Sequence, residues 1–304
     1  MSGKADIFIA DASNRMDGMQ KILSQFDLSI FSSAKVALKA NYNSADPYPA
    51  STHIDTLQVL VRTLQLQKPE KLTLAERSGM GSTRTVLEDQ GVIALSRQLG
   101  FSVIVLDELE RIGWQEIQAP NLHWKRGFFI ANLFTRSDRI VQTCCLKTHR
   151  FGGHFTLSLK NSMGCIARRV PGVIHDFMGE LHMSHFQRSM IAEINKFYRN
   201  DLIVMDASEG FSTGGPDKGK IIKPGVIIAG NDRIAIDAVG VALLRSFGTI
   251  HDIMERSVFS QEQIARAVEL EVGVGSTAEI KLVPLDAPSE KVADTVQTQF
   301  DAEK

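Results

Sequence analysis

The chain is poor in the features that mark several broad protein classes. Only Cys144, Cys145 and Cys165 among its 304 residues are cysteines, and an adjacent pair plus one distant thiol makes no disulfide framework, as suits a reducing compartment. Three thiolates also fall short of holding a four-iron cluster unless another residue type completes it. Neither sign of charge dominates: 34 Lys and Arg against 35 Asp and Glu leave a formal charge of −1, with a sequence pI near 6.7. That balance gives no global attraction to nucleic acid or to an anionic membrane. No apolar run approaches the roughly 18 residues that span a bilayer, and residues 1–6 lack a basic region followed by an apolar one. These absences point to a cytoplasmic protein with no membrane or nucleic-acid partner. There is no internal repeat, no low-complexity segment and no Pro- or Gly-rich linker, which argues against widely separated domains.

What is present is an alternation of strand and helix signals. Residues 6–10, 34–40, 72–75 and 102–106 read as strands, and 14–26, 53–66 and 83 to about 100 as helices, the second capped by Thr52. Farther on, 139–146, 202–206, 220–229 and 280–283 read as strands, with helices over 187–197 and 232–247 and two short ones at 251–255 and 261–270. Residues 114–118 and 124–133 fit no element cleanly. The order predicts an α/β fold: a mostly parallel sheet flanked by helices, as one large domain or two closely packed lobes. The expected organisation is an N-terminal extension over 1–33, an α/β domain over 34–286, and a polar, poorly anchored tail over 287–304.

Candidate chemistry concentrates in residues 143–174, which hold all three cysteines, His149, His154, Lys147, Lys160 and four glycines, with His175 directly after. The spacing predicts a helix starting at Thr156, so a strand-to-helix loop would present Lys147, Thr148, His149 and Arg150 where open α/β sheets bind ligands. Imidazole ligates nickel, zinc and iron, and a partly desolvated lysine is an amine nucleophile. His149, Lys160 and His175 are therefore candidates for one pocket, or else surface groups beside a loop. His182 and His185, three apart, would share a helix face as further ligands. The glycine-rich run 79–83 is a candidate anion cradle, although ordinary capping by Ser82 accounts for it equally. Arg77, Ser78, Arg84, Arg150, Thr156 and Asn161 are the candidate substrate contacts, and the run 211–219 a candidate wall of the same pocket. Asp237, in an otherwise apolar helix, either orients a His or Lys or satisfies a backbone end.

Four sets of residues together resemble the family called domain of unknown function 362. They are Lys39-Ala-Asn-Tyr-Asn with Pro49 to His53, Leu146-Lys-Thr-His149 with Thr156 to Asn161, Val204-Met-Asp206 with Gly214-Gly-Pro216, and Gly230 through Asp237. The family's usual proline before Leu-Lys-Thr-His is Cys145 here. A more distant likeness is to nickel-pincer lactate racemases, in which a basic His, a Lys holding the cofactor and a nickel-binding His follow in an order similar to His149, Lys160 and His175. That likeness implies a bound metal or a Lys160-linked cofactor. The second proton-transfer His expected after the third strand is missing from residues 77–85, so one-sided proton or hydride transfer fits better than racemisation.

Three functions are compatible with these residues. The first is a metal- or cofactor-dependent enzyme acting on a small anionic, carboxylate-type ligand, with His149, Lys160 and Lys147 as catalytic groups and His175, His149, His182 and His185 as ligands to nickel, zinc or iron. The second is a redox protein with an iron-sulfur partner protein, using the three cysteines. The third is a non-catalytic ligand-binding module.

Overall fold

The computed structural model describes residues 4–302; residues 1–3 and 303–304, the outermost ends of the expected extension and tail, lie outside the described residues. Its strands are β1 (Ala5–Asp11), β2 (Lys35–Lys39), β3 (Lys71–Glu76), β4 (Ser102–Val105), β5 (Trp114–Ile117), β6 (Phe128–Ala131), β7 (Arg139–His149), β8 (His154–Thr156), β9 (Leu202–Gly214), β10 (Gly219–Ile222), β11 (Val226–Gly230) and β12 (Ile280–Pro284). The main sheet runs β12-β1-β11-β9-β7-β2-β3-β4, and on this path only β11 opposes the others. β8 and β10 fold back antiparallel on the far ends of β7 and β9, while β5 and β6 form a separate pair. The predicted α/β architecture, a mostly parallel sheet between helices, is what the chain adopts.

The central strands are buried on both sides, which is why they are nearly continuous apolar runs. In β9, Leu202 and Val204 enter the cluster built with helices Arg15–Leu23 and Ile54–Leu66, whereas Ile203 and Met205 enter the cluster on helix Arg233–Ser246. A third cluster, around Trp114, Phe128, Phe134 and Phe177, lies under the β5–β6 pair. From β2 the chain moves outward through β3 to β4, then returns to place β7 on the other side of β2. The crevice beyond the carboxyl ends of β2 and β7 is thus the point at which strand order reverses, the usual ligand position in open α/β sheets.

Several local expectations are corrected. Residues 1–33 are no appendage as far as they are described, since β1 lies between β11 and β12. Residues 287–301 form no loose tail but a helix, Ala287–Asp301, opened by a capping box between Asp286 and Ser289 and burying Ala293, Val296 and Phe300. The polar look of that segment comes from its solvent face. The helix expected over 83–100 is two, Thr83–Asp89 and Val92–Leu99, broken where Gly91 takes φ 74°. His53, not Thr52, caps helix Ile54–Leu66, its ring Nδ1 accepting from the Asp55 N–H, and Thr156 closes β8 instead of opening a helix. Among the described residues no helix is long and apolar enough to cross a membrane.

Phe300→Ala should cost about 3–5 kcal/mol in chemical denaturation, as for other aromatic cavities in cores, with Lys291→Ala on the exposed face near neutral. An unchanged midpoint for Phe300→Ala would mean the helix contributes nothing to the core.

Candidate active site

Parallel strands that end side by side deliver their last side chains to one place. β2 ends at Lys39, β3 at Glu76, and β7 runs on through Lys147 and Thr148 to His149. Lys39 Nζ donates to both oxygens of Glu76, at 2.6 and 2.8 Å, and to Asn161 Oδ1 at 3.1 Å. Lys147 Nζ donates to Asn41 Oδ1 and to the carbonyls of Pro49 and Ala50. Both amines are buried and fully committed to these partners. Burial raises the Glu76 pKa, opposed by Lys39 and by the N–H groups of Tyr42 and Arg77.

Lys160 is different. It sits on the four-residue helix Ser158–Asn161, whose first N–H groups, from Ser158 and Leu159, donate to the Asp237 carboxylate at 2.7 and 3.2 Å. Asp237 thus satisfies a backbone end, and by doing so holds the segment that carries Lys160. The Lys160 amine has no hydrogen-bond or ion-pair partner among the described residues. Burial, then the charges of Lys147 and Arg77, bring its pKa down to about 7, while the residue stays partly open to the cleft. A large neutral fraction therefore exists at physiological pH.

His149 is buried and its pKa lies far below the ordinary value, first because of burial and then because of Lys160, His182, Lys147 and Arg150. The ring is neutral. Its Nδ1 accepts from the Gly153 N–H at 3.2 Å, so the ring proton resides on Nε2 and His149 is a donor there. A Cβ at Gly153 would meet His149 Nδ1 and Lys160 Cε, each at 2.8 Å. Any side chain there would push His149 or Lys160 aside, and no more than twice that distance separates the two groups.

The cleft has two connected chambers sharing Asn43, Arg77, His149, Lys160, Met163 and Pro216. The inner one, about 40 Å³, is lined by four basic side chains, Lys39, Arg77, Lys147 and Lys160, against the single carboxylate of Glu76. Thr156 Oγ1 is buried on that lining without a partner. The outer one is about 250 Å³ and includes His182. Excess positive charge, a free amine and an unpaired hydroxyl together suit a small anion.

The sequence-derived candidates divide accordingly. His149, Lys147, Lys160, Thr156, Asn161 and Arg77 meet at the cleft. Arg77 does so with its guanidinium held by the carbonyls of Ile166, Ser78 and Met163. Ser78 lies alongside, its hydroxyl spent on the Tyr42 carbonyl. Arg84 and Arg150 line neither chamber, being paired with Glu108 and Asp217 on the surface. His175 is elsewhere, 2.7 Å from Glu180 on a different cavity lined by Trp124 and Phe129, because the 166–176 segment carries it away from the strand ends. His185 is exposed. The expected four-histidine metal set therefore does not assemble, and among the described residues no three His, Cys, Asp or Glu side chains are placed to hold a metal ion. In the run 79–83 the first two N–H groups, of Gly79 and Met80, are spent on the Asn43 carbonyl, and that of Ser78 just before them on Thr83 Oγ1. All three cysteines are buried, line neither chamber, and have thiol pKa values raised by burial. Pro216 does wall the cleft. Sequence reasoning gave no site role to Glu76, Lys39 or Asn43; the available signal was a charged residue directly after the apolar stretch of each of two strands.

A family model described as a domain of unknown function (DUF362) matches residues 36–242. The chain belongs to the DUF362 family. No curated protein matches it. Among solved structures, the lactate racemase apoprotein from Thermoanaerobacterium thermosaccharolyticum is similar at 11% identity, covering 95% of this chain and 85% of that one with a TM-score of 0.47. The DUF362 match takes in every residue that lines the two chambers.

Two outcomes follow for this DUF362 chain. Glu76→Gln leaves Lys39 buried beside a neutral amide and should cost about 3–5 kcal/mol in denaturant unfolding. Lys160 binds its proton more weakly in the folded protein than at the ordinary 10.5, so between about pH 7 and 10.5 unfolding takes up a proton and this group makes stability rise with pH. Lys160→Met should flatten that rise, read as the difference between the two proteins' stability-against-pH curves.

Proposed function

We propose that the cleft belongs to an enzyme that removes a proton from one side of a small carboxylate-bearing substrate, with a 2-oxo acid as the substrate type that best matches the groups present. The observation that carries this reading is the partnerless Lys160 amine, with a pKa of about 7, beside a neutral His149 that donates from Nε2. The substrate carboxylate enters the inner chamber, drawn by its net positive lining and bonded by the Thr156 hydroxyl. The carbon next to the carbonyl then lies at the junction of the chambers, where Lys160 stands. The C–H bond breaks, its proton passes to the Lys160 amine to give the ammonium, and the electron pair moves onto the carbonyl oxygen. His149 Nε2–H stabilises that oxygen, as a neutral donor in a dry site can.

The test is loss of the C3 protons of 2-oxo acids in D₂O, followed by NMR. The rate should rise with pH through about 7 as Lys160 loses its proton, fall about 10²- to 10⁴-fold in Lys160→Met, and fall about 10²-fold or more in His149→Ala. Exchange at the wild-type rate in Lys160→Met would refute the assignment.

The same amine supports a second reading, in which Lys160 adds to a carbonyl of the substrate or of a tethered cofactor and expels water to form an imine. Borohydride would then fix the adduct on Lys160, and mass spectrometry of the Lys160 peptide would show the added mass. An unmodified peptide discards this reading and leaves the first.

A further inference from the structure

The two chambers differ in character as well as size. The inner one is lined by charged and amide groups, with Met163 and Pro216 its main apolar contacts. The outer one adds Met80, Phe151, Met178 and Leu181 to those two. Apart from Lys160, its charged side chains have partners within the protein. Arg168 pairs with Asp176 at 3.4 Å, Arg77 is held by three carbonyls, and His182 Nδ1 lies 3.1 Å from Gln187 Nε2. Among the described residues the one amine on this lining without a partner is Lys160, which the inner chamber shares. Phe151 and Met80, at the mouth, are 47% and 39% exposed, so apolar surface faces the opening.

Size sets the order of the ligand's parts. A site of roughly 150 Å³ holds benzene, and a single water needs roughly 10–15 Å³. The inner chamber, about 40 Å³, therefore takes a carboxylate and little more. The outer, about 250 Å³, takes an aromatic ring with one or two further carbons. A three-carbon acid would leave the outer chamber to water against a methionine- and phenylalanine-lined wall. We infer that the physiological ligand is a carboxylic acid bearing a bulky apolar arm, aryl or branched alkyl, with its carboxylate in the inner chamber and its arm against Phe151, Met80 and Met178.

This rests on the proposed placement of the carboxylate, and the experiment separates the two. Calorimetry on the intact protein would compare phenylpyruvate, pyruvate, 2-oxoglutarate and phenylacetone, the last carrying a methyl in place of the carboxylate. Burial of the ring predicts that phenylpyruvate binds on the order of 10- to 100-fold more tightly than pyruvate. It should also exceed phenylacetone by at least about tenfold, since a charge-assisted anchor is lost, and exceed 2-oxoglutarate. Phe151→Ala, at a half-exposed position where folding is little at risk, should lower the phenylpyruvate-to-pyruvate ratio at least about threefold. Equal binding of phenylpyruvate and pyruvate, no binding of either, tighter binding of 2-oxoglutarate, or phenylacetone matching phenylpyruvate would each overturn the inference. Proton exchange is a separate readout. Aryl preference without Lys160-dependent exchange keeps the chamber assignment and refutes the chemistry; exchange without aryl preference does the reverse.

Discussion

The cleft is governed by the difficulty of burying unequal charge. Four basic side chains meet one carboxylate in a space with room for little water, and a low-dielectric site tolerates such an excess only if its members are partnered or neutral. Lys39 is partnered by Glu76 and Asn161, Lys147 by Asn41 and two carbonyls, and Arg77 by three carbonyls. Lys160 alone has no such partner, so it is the group that yields its proton. The commitments of its neighbours are what create a free amine in the cleft.

Holding that amine takes elements from across the chain. Asp237 anchors the helix beneath Lys160. The loop supplying the Gly153 N–H is tied from outside: Gln263 donates to the carbonyls of Gly153 and Phe155, Arg188 to that of Gly152, and Gln187 to that of Phe151. The hydrogen-bonding state of His149 therefore depends on side chains from two helices that do not touch the ligand space. A second polar hub stands on β9, where Asp206 accepts from Arg15, Thr56, Tyr48 and Ser208. Burial works against its charge, but Arg15 and these donors prevail and hold the carboxyl below its usual range.

The architecture was legible because the buried strands are short apolar runs and the first helices keep their spacing. Residues 202–206 and 139–146 could be assigned with no knowledge of their neighbours. The closeness of Lys147 and His149, at the end of β7, to Lys160, on the short helix after β8, was legible from the motifs they share with the family. His175 was misplaced because spacing along a chain says nothing about the direction taken by a segment such as 166–176, which leaves the strand ends for another face. The Lys39–Glu76 pair was invisible because its members are 37 residues apart and meet only through parallel pairing of β2 with β3. The capping of Lys160's helix by Asp237, 79 residues from Ser158, is equally non-local. The final helix was mistaken for a tail since its buried face is only Ala293, Val296 and Phe300 with the capping Ser289.

The position of β1 has a bearing on how the molecule is made. Phe8 pairs with Ala229 and Ala5 with Ile280, so β1 has neither neighbour until more than two hundred further residues have left the ribosome. During that interval Ile7 and Ile9, wholly enclosed in the finished sheet, are held in a segment with unpaired edges on both sides. Pairing of β1 with β11 and β12 consequently comes only after most of the intervening residues have been made.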